Sequence, residues 1–259
     1  MLASVATLFA IITVSFFMMK FAPGGPFDQE KSPPENIRKA IEAKYHLDKP
    51  LYQQYFIYLG GLVTLDLGPS FKVAHLSVND VIREGIGPTL KLGAFAMLIA
   101  ISLGLLVGLI AALNHNSWPD HLVMSSAMLG ISIPNMVLAP ILLLFLGIKM
   151  RLLPVSGLET FSSYILPSFC LSLFFIANIA RLTRGSMLEV LSSNYIRTAR
   201  SKGLPTWRIV VFHCLKPTLI PVVSYLGPAT AGMLAGSLVI EKIFVIPGIG
   251  RQFVDSAFA

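Results

Sequence analysis

The sequence predicts an all-α, polytopic membrane protein. Hydrophobic residues make up 54% of the chain and charged residues only 13%. The mean hydropathy is strongly positive, and five apolar runs reach the roughly 20 residues that a bilayer crossing needs. A soluble domain of this length does not tolerate such a balance, so lipid is the solvent for most of the chain.

The runs are Leu2 to Ala22, Thr89 to Leu113, His121 to Ile148, Ser162 to Leu182 and Thr218 to Ile243. The first has neither a basic leader nor an A-x-A cleavage signature, so it reads as a retained helix rather than a signal peptide. The two cysteines, Cys170 in an apolar run and Cys214 in a basic stretch, do not form a disulfide framework and read as packing residues.

A net charge of +7 in a membrane protein is evidence about topology before it is evidence about nucleic acid. The stretch from Arg181 to Lys216 carries Arg181, Arg184, Arg197, Arg200, Lys202, Arg208 and Lys216 against one acid, Glu189. The positive-inside rule places it in the cytoplasm. Counting back puts Lys149 to Ser163 outside, the turn from Asn114 to Asp120 inside, Pro23 to Pro88 outside and the N-terminus in the cytoplasm.

Three regions follow: a first transmembrane helix over 1–22, an extracytoplasmic segment over 23–88, and a core over 89–259 with a cytoplasmic loop at 183–217. Within the outer segment Pro33-Pro34-Glu35 precedes a helical pattern over Asn36 to His46, in which Ile37, Ile41 and Tyr45 recur every four residues. This reads as a small folded cap. An odd span number leaves the C-terminus outside without a helix stop signal, so a sixth span is expected.

The span interiors hold almost no ionisable group. Lys20, Lys91, Arg181 and Glu241 sit near ends, where long side chains snorkel to the interface. That argues against an internal proton or sodium relay. Prolines at 134, 140, 167, 221 and 228 interrupt the spans, and kinked helices of this kind line cavities. Among the polar residues at depth (Ser132, Asn135, Ser172, Asn178, Ser224, Tyr225, Thr230), the expected role of any single one is a bond between helices. Asn135, Asn178, Ser224 and Tyr225 are the candidates to line a translocation path. Gly104 with Gly108, and Gly232 with Gly236, predict close helix packing.

No phosphate-binding loop, nucleophile elbow or H-E-x-x-H pair is present. The five histidines have no metal-ligand spacing. An enzymatic role is therefore not expected.

The cytoplasmic loop contains the densest signal. Ser193 or Asn194 caps a short helix over Tyr195 to Lys202, Arg200 and Lys202 complement its negative end, Gly203 supplies a left-handed terminus and Pro205 prevents continuation. A second helical pattern starts near Thr206-Trp207 and leads into span five.

The word Tyr195-Ile-Arg-Thr-Ala-Arg-Ser-Lys-Gly-Leu-Pro205, followed by His213-Cys-Leu-Lys-Pro-Thr-Leu-Ile-Pro221, resembles the "EAA" loop of ABC-importer permeases. Where the general pattern is E-A-A-x-x-x-G, this chain has Arg197-Thr198-Ala199-x-x-x-Gly203, a departure similar to the peptide-transporting branch. Met19 to Phe27, Leu47 to Tyr55, Asp66 to Phe71, Arg181 to Leu191 and Glu241 to Gly250 resemble the same oligopeptide, dipeptide and nickel branch.

The resemblance implies a type I importer permease fold in a bacterial inner membrane. This subunit would pair with a second, homologous permease, beneath which two ATPases bind ATP and Mg, while an extracytoplasmic binding protein delivers peptide. The chain itself would hold no cofactor. Tyr195, Arg197, Thr198, Ala199, Arg200, Lys202, Gly203, Leu204 and Pro205 would form the ATPase-coupling element. A nickel, glutathione or other small-solute permease of the same branch is the alternative. A proton-coupled carrier and a membrane scaffold are the rival classes.

Overall fold

The computed structural model describes residues 2–21, 46–70, 76–156 and 160–257. They divide into two compact units, residues 1–81 and 82–259. Among the described residues the regular structure is helical apart from one isolated bridge between Pro69 and Ser77. The helix expected over Asn36 to His46 lies outside the described residues except for His46, which sits in a turn.

In the first unit, α1 (Leu2–Phe21) and α2 (Leu51–Thr64) pack through aromatic side chains. Phe16 is buried against the rings of Tyr55 and Tyr58, and the hydroxyls of Thr13 and Tyr55 meet at 2.7 Å. A helix with this little polar surface satisfies its hydroxyls either on its own backbone or on a neighbour, and Thr13 does both.

The next helix, α3 (Val78–Leu113), begins well before Thr89. Its start is fixed by a reciprocal cap: the Asp80 N–H donates to the Ser77 hydroxyl at 3.1 Å, while the Ser77 N–H and hydroxyl donate to the Asp80 carboxylate at 3.0 and 2.6 Å. That is a capping box written as Ser-x-x-Asp.

The second unit contains the remaining helices. These are α4 (Trp118–Ser132), α5 (Asn135–Leu142) continuing as a π-helical stretch to Lys149, and α6 (Phe161–Leu191). After them come α7 (Asn194–Ser201), α8 (Thr206–Ile209) continuing as a π-helical stretch to Cys214, α9 (Leu215–Ile243) and α10 (Ile249–Ala257). Among the described residues, four helical runs are long and apolar enough to cross a membrane, five if α4 and α5 count as one.

Span three is not merely kinked. The axes of its two halves differ by 106° across Ile133-Pro134, because Pro134 has no N–H to continue the ladder and disfavours helical geometry in the residue before it. Ile133 accordingly takes an extended backbone. Span four outruns its expected end, since α6 carries Arg181, Arg184 and Glu189 onward to Leu191.

The core joins α3, α5, α6 and α9 around Leu92, Ala96, Ala100, Leu171, Phe175 and Met233, all buried. The expectation for Gly104 and Gly108 is met inside the subunit. A Cβ at Gly104 would stand 2.7 Å from Ile179 Cβ, and one at Gly108 would stand 2.6 Å from the Ala180 carbonyl oxygen. The two backbones are thus nearly in contact, the geometry that drives helix association where lipid offers no hydrophobic advantage. Gly232 and Gly236 meet Phe175 and Leu171 only at ordinary van der Waals range, 3.9 and 3.8 Å.

Gly108→Leu should therefore force α3 and α6 apart and cost about 1–3 kcal/mol, the usual range for overpacking. A fall in the thermal midpoint of the detergent-solubilised protein, absent for Gly87→Leu where a Cβ meets open space, is the measurement that checks it.

Candidate functional site

An eight-residue helix such as α7 is unstable in isolation, so its presence requires docking. Ile196 and Ala199, three residues apart on one face, are buried against Met187, Ile209 and Cys214. Tyr195, Arg197, Thr198, Arg200 and Lys202 are exposed on the rest of its surface. The C-terminus closes as a Schellman motif: the Gly203 N–H donates to the Arg200 carbonyl at 2.9 Å and the Leu204 N–H to the Ala199 carbonyl at 3.4 Å. Gly203 holds φ at +74° with nothing within 4 Å of where a Cβ would be, so the demand for glycine is conformational rather than one of space.

Two details differ from the sequence expectation. Ser193 occupies the N-cap position, but its hydroxyl donates back to the Val190 carbonyl at 2.5 Å instead of capping α7. Ala199, expected on the coupling surface, faces the chain's own core at 5% exposure. The residues that seat the helix, Ile196, Ile209, Met187 and Cys214, gave only a weak signal, as the apolar positions of a largely polar segment. Both cysteines are free and buried.

The Tyr195 hydroxyl adds a link toward the following helix, reaching the His213 carbonyl at 3.5 Å. That carbonyl stands four residues before Pro217, which has no N–H to give it.

A second feature near this loop escaped the sequence reading. Arg184 grips Asp120 in a bidentate pair, Nε to Oδ1 at 2.6 Å and Nη2 to Oδ2 at 2.7 Å. The Asn116 N–H donates to Oδ2 at 2.9 Å, and His115 Nδ1 lies 3.2 Å from Arg184 Nη2. Asp120 is 1% exposed. A topology count reads Arg184 as loop charge, whereas here it pins the start of α4 to α6 just before α7.

The candidate path residues separate. Asn135 and Tyr225 line one recess of about 280 Å³ with Phe174, Phe175 and Pro228. Ser224 and Asn178 do not line it. The Ser224 hydroxyl donates to the Ile220 carbonyl, and the Asn178 amide donates to the Phe174 carbonyl while its oxygen accepts from Arg181. Ser132, Ser172 and Thr230 also return to their own helices. The expected bonds between helices are replaced by local ones, because a helical serine or threonine finds the carbonyl one turn back without any help from a neighbour.

Glu241 also departs from expectation. It does not snorkel; it is fully buried and accepts hydrogen bonds from the Thr89 and Ser237 hydroxyls at 2.8 and 2.9 Å.

The protein-family comparison matches residues 104–259 to the model described as "Binding-protein-dependent transport system inner membrane component". The oligopeptide transport system permease protein OppB of Escherichia coli is 50% identical over 258 residues, 99% of this chain and 84% of that protein. The dipeptide transport system permease protein DppB of Bacillus subtilis is 46% identical over 254 residues, 98% of this chain and 82% of that protein. Among solved structures, one described as an amino acid ABC transporter with histidines matches with a TM-score of 0.52 at 18% identity, covering 70% of this chain and 80% of that one. That likeness concerns the fold.

Breaking the buried pair from one side leaves an uncompensated charge. Asp120→Ala alone should therefore cost about 3 kcal/mol, read as loss of detergent-stable protein. The double variant Asp120→Leu with Arg184→Met should recover most of it; a double variant as unstable as the sum of the singles would contradict the pairing.

Proposed function

Because the chain belongs to the family of binding-protein-dependent transport system inner membrane components, we propose that it is one of two permease subunits of an ATP-driven peptide importer. Extensive identity to oligopeptide and dipeptide permeases carries the choice of peptide as substrate. ATP and Mg belong to two partner ATPases, a second homologous permease completes the path, and an extracytoplasmic binding protein loads it. The loop 183–217 and the N-terminus face the cytoplasm.

The mechanism rests on α7. Its exposed Tyr195, Arg197, Thr198, Arg200 and Lys202 form the surface on which an ATPase pushes, and buried Ile196 and Ala199 key it to α6 and to α8 with its π-helical continuation, which runs on into α9. A push on α7 therefore moves packed helices rather than a loose loop, and the subunit responds by exchanging one packing arrangement for another. Asn135 and Tyr225 supply an amide and a phenol in an otherwise apolar recess, a lining that accepts hydrogen bonds from, or donates them to, a peptide backbone while leaving side chains unselected.

The complex reconstituted with its partner permease, ATPases and binding protein should accumulate peptide in vesicles only with ATP inside the ATPase compartment. Uptake that survives ATP depletion and collapses with an uncoupler would overturn the reading in favour of a proton-coupled carrier.

Gly203→Val places a β-branched residue at positive φ. The expected outcome is normal membrane insertion with peptide-stimulated ATP hydrolysis reduced about tenfold, within the usual span of a coupling energy. Gly203→Asn, which tolerates that conformation, should lie between the variant and wild type.

A further inference from the structure

The segment Glu241-Lys-Ile-Phe-Val-Ile-Pro-Gly-Ile-Gly250 lies outside both α7 and the recess, yet among the described residues of the second unit it contains the most fully enclosed carboxyl group. Glu241 is 0% exposed. A carboxyl withdrawn from water is costly unless its oxygens are hydrogen-bonded, so the surroundings must be organised around it.

Three elements converge there. From α3, the Thr89 hydroxyl donates to Glu241 Oε1 at 2.8 Å and accepts the Ile249 N–H at 3.0 Å. From α9 itself, Ser237 reaches Oε1 at 2.9 Å. From the first turn of α10, the Arg251 N–H donates to Oε2 at 3.2 Å. Thr89 and Glu241 thus satisfy two of the amides that every helix start leaves without intrahelical partners.

The glycines of the segment are what let the backbone come this close. A Cβ at Gly248 would collide with the Glu241 carboxylate, one at Gly250 would stand 2.6 Å from Leu238 Cα, and one at Gly85 would stand 2.8 Å from the Ile249 nitrogen. Buried Phe244 and Ile246 anchor the connection between α9 and α10 from below. Lys242 pairs with Asp255 across α9 and α10, and Arg251 pairs with Asp255 within α10, but these pairs are partly solvated and contribute little.

We infer that Glu241 is the positioning residue of a latch that ties the start of α10 to the N-terminal third of α3 and to the end of α9, so that the three turn as one piece. The inference rests on the importer reading for its consequence. The helical run from Thr206 to Ile243 is continuous, with the coupling loop at one end and the latch at the other. Motion delivered at α8 therefore arrives at Glu241, and with the latch slack it is lost before it reaches α10.

The test uses the reconstituted complex with binding protein and trialanine as the probe, reading peptide taken up per ATP hydrolysed. Nitroxide labels at the exposed positions Ile86 on α3 and Phe253 on α10 report their separation with and without trapped nucleotide. In the wild type, one narrow separation should persist in both states. Glu241→Ala should broaden it and lower uptake per ATP about tenfold, with basal ATP hydrolysis retained. Thr89→Val should act in the same direction, and Thr89→Ser, which keeps the hydroxyl, should restore both readouts.

An unbroadened distance and an unchanged ratio in Glu241→Ala would overturn the latch. So would a wild-type separation that shifts between states, or equal behaviour of Thr89→Val and Thr89→Ser. If Glu241→Ala does not accumulate, the Thr89 pair decides by the same readouts. If the wild-type complex shows no ATP-driven uptake, the importer reading fails, and the label separations in Thr89→Val and Thr89→Ser still decide the latch.

Discussion

The near-contact of α3 and α6 at Gly104 and Gly108 is the constraint on which the second unit depends. In lipid, apolar side chains gain nothing by leaving one apolar neighbour for another, so helices associate where backbones approach closely and dispersion contacts multiply. Ile179, Ala180 and Thr183 of α6 receive the two glycines. Both helices then extend past this contact into the cluster that contains Ala112, Met187, Ile196 and Cys214. The seat of α7 is thus set by the same approach that closes the core. Without it, Ile196 and Ala199 would have no fixed surface to dock on.

Polar groups in this environment follow two rules. Isolated hydroxyls and amides, such as Ser132, Ser224 and Asn178, close on the carbonyl one turn earlier and leave packing free. Carboxylates cannot donate and so cannot be satisfied by their own helix's carbonyls. Each buried one therefore recruits donors from elsewhere in the chain: Asp120 from Arg184 and Asn116, Glu241 from Thr89 and Arg251. Burying an acid in a membrane protein acts as a cross-link, because the geometry that satisfies it specifies which elements must meet. One lies beside the loop 183–217 and the other at the far end of the continuous run from Thr206 to Ile243.

What the sequence made legible follows from the range of each signal. Apolar runs located the spans, since lipid solvation acts on every residue of a run at once, though charged continuations such as Arg181 to Leu191 were invisible to a hydropathy criterion. The helix α7 and its end at Gly203 were readable because a left-handed glycine and a following proline are local events, although the side-chain cap expected at Ser193 is not made. Asp120 and Arg184 are separated by 64 positions, and nothing local marks such a pair. Glu241 was read as a snorkelling end residue. That reading assumes that the chain leaves the helix end for water, whereas Phe244 to Gly250 folds back and covers it. Span three was expected to kink at Pro134, but the size of the break depends on what the two halves pack against, which periodicity does not encode.

The joint between α7 and α9 gathers features that weaken a helix at one place. Pro217 and Pro221 each remove a donor, and residues 210–214 widen into π-helix just before them. Such widening accommodates an extra residue without unwinding the chain and recurs where helices must flex. The carbonyl that Pro217 leaves without a donor is not abandoned, since the Tyr195 hydroxyl approaches His213. In the importer proposed above, Tyr195 belongs to the helix that an ATPase would push. A displaced α7 therefore shifts a partner of the same backbone it has to bend, so the force and the weakened segment coincide. A rigid, proline-free continuation would instead carry α7 and α9 as one lever, with no point at which a small displacement is converted into a change of helix direction.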